Sequence, residues 1–180
     1  MTLRRVSQLD DQRKVKQADS YACLFPQISL NEAGVHRASS IKVAENTVKK
    51  LIKVGKAVKG AQVLILGLTF KENVGDIRNT KVVDIVSELG EYGVESLVFD
   101  PYADAEEVRH EYGLEILPSL AEVPAIDAVI LAVPHDKFKD LTLDRLAGFC
   151  RKGATPIVVD IKGMFDPETA TKQGVRYWRL

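Results

Sequence analysis

From Ala61 onward, short apolar runs alternate with amphipathic stretches. Val63-Leu64-Ile65-Leu66 is a continuous apolar run, as expected of a strand buried on both faces. Residues 96–100, 128–133 and 156–160 read the same way, with weaker strand candidates at 114–117 and 176–180. Between them lie helical segments. One spans residues 80–89 and ends near Gly90 and Gly93. Asp104 and Glu107 form a capping-box-like pair that opens a helix to Tyr112, and Ser119 with Glu122 repeats that pattern. Thr142 or Asp144 opens a helix ending near Gly148. The alternation predicts an α/β fold. It is a three-layer, Rossmann-like, mostly parallel sheet of about five or six strands with helices on both faces.

Upstream of this the pattern changes. Residues 1–38 are polar and irregular and read as an arm, a remnant of a larger N-terminal part. Ser39 or Ser40 caps a linker helix within residues 39–60, with Ile41, Ala44, Val48, Leu51 and Ile52 at helical spacing and Gly55 as its stop. Residues 61–180 are the domain proper.

Composition narrows the function classes. The 25 basic and 25 acidic residues cancel, which argues against nucleic acid as a partner. Cys23 and Cys150 form neither a CxxC pair nor a disulfide framework, as in a cytoplasmic protein with reduced thiols. No apolar run approaches a membrane span, and the N-terminus is not a signal peptide, so no membrane partner is expected. No His, Cys, Asp and Glu set has metal-ligand spacing.

In a parallel sheet, ligands bind beyond the carboxyl ends of the strands. The connection after the first strand, residues 67–80, is long, polar and charged. It is not a dinucleotide fingerprint, because only Gly67 of a GxGxxG pattern is present. Asp100 stands where a ribose-binding acid would, which is weak support without those glycines. The loop offers Lys71 and Arg78, and Lys162 follows a later strand. Three such cations converging on one edge suit a phosphate-bearing ligand. The bland alternative is that Lys71 and Arg78 pair with Glu72 and Asp76 on an exposed loop. His135, after the strand at 128–133, is an acid or base, a loop polar group or a helix cap.

The segment from Gly67-Leu68-Thr69-Phe70-Lys71-Glu72-Asn73 through Asp76-Ile77-Arg78-Asn79-Thr80 resembles the C-terminal domain of the UDP-glucose/GDP-mannose dehydrogenase family. The fit is closest to the UDP-N-acetylhexosamine 6-dehydrogenases of surface-polysaccharide synthesis. Asp100-Pro101-Tyr102-Ala103, Ala132-Val133-Pro134-His135 and Val159-Asp160-Ile161-Lys162-Gly163 are similar to further family blocks in the same order. The resemblance implies a domain that binds UDP or a UDP-sugar, with Phe70 and Lys71 on the substrate. Lys162 stands where many relatives carry a phosphate-binding arginine. Arg78 is implied to lie near the cofactor, which in the full-length family is NAD.

Such enzymes oxidise a C6 alcohol to a carboxylate using a cysteine nucleophile. Neither Cys23 nor Cys150 sits in a motif of that kind, so no catalytic residue is assigned. NAD is not expected to bind well to this chain. Residues 34–45 resemble the lead into the family's central helical region, and 43–50 resemble the helix opening its C-terminal domain. The two overlap at Val43-Ala44-Glu45, as if the central region were deleted and its flanks joined. The chain is therefore expected to be inactive alone. A homodimer, or a second chain supplying the remaining parts of a split dehydrogenase, is the protein partner this implies. A free-standing nucleotide-binding or interaction module is the remaining alternative.

Overall fold

A computed structural model describes residues 30–180, with side chains from residue 38 onward. Helix α1 spans Leu30–Lys53. Val43, Ala44, Thr47, Val48 and Leu51 form its buried stripe, at the spacing of an amphipathic helix. Thr47 is tolerated there because its hydroxyl donates to the Val43 carbonyl at 2.9 Å. The expected start at Ser39 or Ser40 is corrected, since both lie inside α1. The Ser40 hydroxyl donates to the Lys81 carbonyl at 3.4 Å instead of capping. Residues 30–38, read as irregular, are helical; the turns before Ser39 contain Gly34 and show no apolar period in the sequence. The rest of the expected arm lies outside the described residues.

Five strands and four further helices follow: β1 Gln62–Leu66, α2 Val82–Glu91, β2 Glu95–Phe99, α3 Ala105–Tyr112, β3 Ala128–Leu131, α4 Leu143–Phe149, β4 Ile157–Asp160, α5 Pro167–Lys172 and β5 Arg176–Arg179. All pairings are parallel, in the order β2-β1-β3-β4-β5. Caps appear where the sequence placed them. Asp104 accepts from the Glu107 N–H at the start of α3, and Gly113 ends that helix in the left-handed conformation. Thr142 accepts from the Arg145 N–H to open α4.

Three local expectations change. Residues 114–117 form no strand of the sheet; Ile116 makes one isolated bridge to Val98, and the Leu117 N–H donates to the Val98 carbonyl at 2.7 Å. The Ser119 cap opens a single 3-10 turn, Leu120–Glu122. Helix α5 was not anticipated, being six residues long, and its signal is Asp166 accepting from the Thr169 N–H with Pro167 in the first turn.

The pleat divides the core. Val63, Ile65, Ile130 and Val159 face the layer formed by α1 and α2, including Val43, Leu51, Ile85 and Leu89. Leu64, Leu66, Val129 and Val158 face the layer containing Leu143 and Leu146 of α4 and Ala170 of α5. The sheet is thus covered on both faces, which is why its central strands are apolar without alternation. Register aligns Phe99, Leu66, Leu131, Asp160 and Arg179 in one row across the sheet. The segments that follow these residues share the carboxyl edge.

Candidate functional site

The chain runs from β1 to β2 and then back across β1 to β3, so the direction of winding reverses between β1 and β3. That reversal leaves a crevice at the carboxyl ends of the two strands. Beyond it lies a cavity of about 250 Å³. Thr69, Phe70 and Glu72 of the β1–α2 loop form one wall, and Pro134 and Lys162 contribute from beyond β3 and β4. Ser39 and Ser40 of α1, with Lys81 at the start of α2, close another side. Sequence reasoning missed the last three, since nothing local marks residues so far apart as neighbours.

The four residues singled out from sequence separate here. Phe70 and Lys162 both line the cavity. Phe70 is 53% exposed, unusual for a large apolar side chain. Lys71 lies outside the lining; its ammonium is 5.8 Å from the centroid of the Phe70 ring, a cation–π distance. Neither Lys71 nor Lys162 makes an ion pair among the described residues. Arg78 does, through Nε to Asp76 Oδ1 and a terminal nitrogen to Oδ2, both at 2.9 Å. The Arg78 hydrogen bonds pull the Asp76 carboxyl down to about 2. For Arg78 the exposed loop pair is what the fold contains, and it stands apart from the cavity.

Beneath the loop is a buried polar network. Asp100 Oδ2 accepts from the N–H groups of Leu68 at 2.6 Å and Thr69 at 3.0 Å. Its Oδ1 accepts from Tyr102 and Ala103 at 2.8 and 3.1 Å. His135, fully buried, places Nε2 3.0 Å from Asp100 Oδ2. Burial pushes the Asp100 carboxyl up, but the bonds from His135, Leu68, Thr69 and Tyr102 outweigh it and hold the group well below the usual carboxylate range. A ribose-binding role for Asp100 is therefore not supported, because its carboxylate is already taken by the protein. His135 is a polar group of the loop after β3, buried and hydrogen-bonded; it occupies the N-cap position of the 3-10 turn Asp136–Phe138 without a side-chain cap bond.

The ring is held on every side. The Asn73 N–H donates to its Nδ1 at 2.9 Å, which requires a lone pair there and puts the proton on Nε2. Tyr102 stacks at 4.9 Å between centroids, and Phe138 meets the ring edge-on at 5.3 Å.

Cys150, the free thiol among the described residues, is buried at the opposite end of the sheet, bridging to Ile126 before β3 begins. Burial pushes its thiol up. No group of side chains suited to hold a metal ion occurs among the described residues. No described helix is long and apolar enough to cross a membrane.

Comparison with known proteins gives this geometry a family. Residues 64–167 match the model for "UDP-glucose/GDP-mannose dehydrogenase family, UDP binding domain". A UDP-N-acetyl-D-glucosamine 6-dehydrogenase of Salmonella typhi is 46% identical over 69% of this chain and 29% of its own length. Its counterpart in Pseudomonas aeruginosa is 39% identical over 79% of this chain and 33% of its own. The chain thus spans about a third or less of the length of these relatives. Among solved structures, the NDP-N-acetyl-D-galactosaminuronic acid dehydrogenase of Methanosarcina mazei matches 94% of this chain and 36% of its own, with TM-score 0.73 at 22% identity. That likeness is one of fold. The fold and the matched residues together place this chain in the UDP-glucose/GDP-mannose dehydrogenase family, where it corresponds to the UDP-binding domain.

Proposed function

We propose that this domain binds UDP or a UDP-sugar in the cavity beyond β1, β3 and β4, with Phe70, Lys71 and Lys162 as its ligand contacts. The observation that supports this most is the pairing of the exposed Phe70 ring with Lys162 on one cavity, with Lys162 in no ion pair among the described residues. The ring offers apolar surface, and the two ammonium groups offer charge-assisted hydrogen bonds to diphosphate oxygens.

The larger activity is that of an NAD-dependent UDP-sugar 6-dehydrogenase making uronic acids for surface polysaccharide in the cytoplasm. In it, this domain holds the substrate. NAD does not fit the described residues. The exit of β1 lacks the glycine cradle, and Asp100 has no free oxygen for a ribose. Cys150 is buried at the far end of the sheet, unsuited to attack a substrate at this edge. The dinucleotide and the thiolate therefore come from outside the described residues, and residues 61–180 by themselves are expected to produce no NADH.

Titration calorimetry with UDP, UMP and uridine tests the reading. UDP is expected to bind with a Kd on the order of 0.1 mM, about −5.5 kcal/mol, and uridine far more weakly. Lys162→Ala or Lys71→Ala should cost about 1.5–3 kcal/mol of UDP binding, the range for a hydrogen bond to a charged group. Uridine binding as tightly as UDP would sink the phosphate-cation argument.

A further inference from the structure

We infer that His135 is a positioning residue for nucleotide binding, fixing the Phe70-Lys71-Glu72 segment by pinning the chain on both sides of it. The inference rests on the binding reading above. The three residues of the segment are exposed, and their own backbone makes few bonds: the Phe70 N–H donates to the Asp76 carbonyl at 2.8 Å and the Lys71 carbonyl accepts from Thr69 Oγ1 at 2.9 Å. What holds them in place lies at their ends. Before the segment stands Thr69, whose hydroxyl is 3.3 Å from His135 Nε2 and whose N–H is held by Asp100. After it stands Asn73, whose N–H donates to His135 Nδ1 and whose Oδ1 accepts from the Asp136 N–H at 2.8 Å.

Asn73 and the pair His135-Asp136 thus exchange two reciprocal bonds across more than sixty residues of sequence. Asn73 also sits at φ 61°, a left-handed conformation that asparagine tolerates and that turns the chain back toward β3. One buried ring therefore sets where Phe70 and Lys71 are presented relative to Lys162. His135 does not line the cavity; it touches Thr69, which does, so its effect on a ligand must pass through the loop.

The two ring nitrogens have separable duties. Nδ1 holds Asn73 and hence the loop, while Nε2 binds Asp100 and hence the strand ends. An asparagine side chain ends near where Nδ1 lies, and a glutamine side chain reaches near where Nε2 lies. His135→Asn should keep an acceptor for the Asn73 N–H and lose the Asp100 bond. His135→Gln should do the reverse.

The experiment measures UDP affinity by calorimetry and stability by urea unfolding for both variants. His135→Asn is expected to keep UDP affinity within about threefold while losing more stability. His135→Gln is expected to lose affinity by roughly tenfold or more while unfolding at higher urea than the asparagine variant. Equal loss of affinity in both, following stability alone, would overturn the inference, as would unchanged affinity in His135→Gln. If neither variant folds, amide exchange of the wild-type protein decides: the Asn73 N–H, held by Nδ1, should be protected while those of exposed Lys71 and Glu72 exchange freely. An Asn73 N–H that exchanges as fast as theirs also overturns the inference. Wild-type protein that binds no UDP defeats the binding reading and this inference with it. Wild-type protein that binds UDP while His135→Gln binds equally well defeats this inference alone.

Discussion

Asp100 and Asp160 invite comparison. Each is a buried carboxylate at the carboxyl end of a strand, and each folds the following chain back on itself. Asp160 does so locally. It accepts from the N–H groups of Lys162, Gly163 and Phe165 in its own loop, and from the Tyr177 hydroxyl of the neighbouring strand at 2.7 Å. Asp100 gathers donors from three separate segments: its own loop, the exit of β1 and the exit of β3. The first shapes one turn, whereas the second sews three strand ends into a single platform. The same side chain thus shapes the single turn that carries Lys162 in one place and joins separate strand ends under the Phe70 loop in the other.

The sharpest way to break this comparison is to remove each carboxylate. Asp100→Ala strands several buried donors at once and is expected to cost about 3–5 kcal/mol in urea unfolding. Asp160→Ala frees donors close to solvent and should cost about 2 kcal/mol. Equal costs would show that the two carboxylates do the same work.

Acid unfolding sharpens the contrast at Asp100. Its folded pKa is depressed, so its stabilisation is fully present above the unfolded value of about 3.9 and is lost as pH falls toward the folded value. Urea midpoints measured from pH 6 down to pH 3 should fall below about pH 4 in the wild type, and less steeply in Asp100→Asn. Parallel acid limbs in the two proteins would remove Asp100 as their source. The smallest effect expected is at the edge of the Asp160 turn. Tyr177→Phe deletes one bond to a carboxylate that keeps three backbone donors, and should cost about 1.5 kcal/mol, read from the same unfolding curves.

This difference also marks what the sequence could disclose. The central strands were legible because a strand buried on both faces must be apolar throughout, as Val63 to Leu66 are. The caps at Asp104 and Thr142 were legible because donor and acceptor lie three residues apart. Helix α5 was missed because six residues cannot display a period, and the start of α1 because a serine pair inside a helix looks like a cap. Of the candidate site residues, Lys71, Arg78 and Lys162 were singled out by their place after parallel strands and Phe70 by the family resemblance alone; Phe70 and Lys162 line the cavity. The network under them was invisible, since Asp100 and His135 take partners 31 to 66 residues away, and local chemistry carries no trace of such pairings. Arg78 shows the opposite case, where a partner two residues away is visible in the sequence and the exposed Asp76 pair is found.

Gly67 leaves β1 at φ 92°, passing so close to β3 that an added Cβ would stand 2.5 Å from the Cβ of Val133. Any side chain there would wedge two adjacent strands apart at the row from which every loop of the site departs. A few residues further on, positions 70–72 are exposed and free of such confinement. Sequence change is therefore channelled: the hinge of the crevice admits one amino acid, while the exposed rim of the cavity has room to vary. A domain built this way can alter what it holds without altering how it folds.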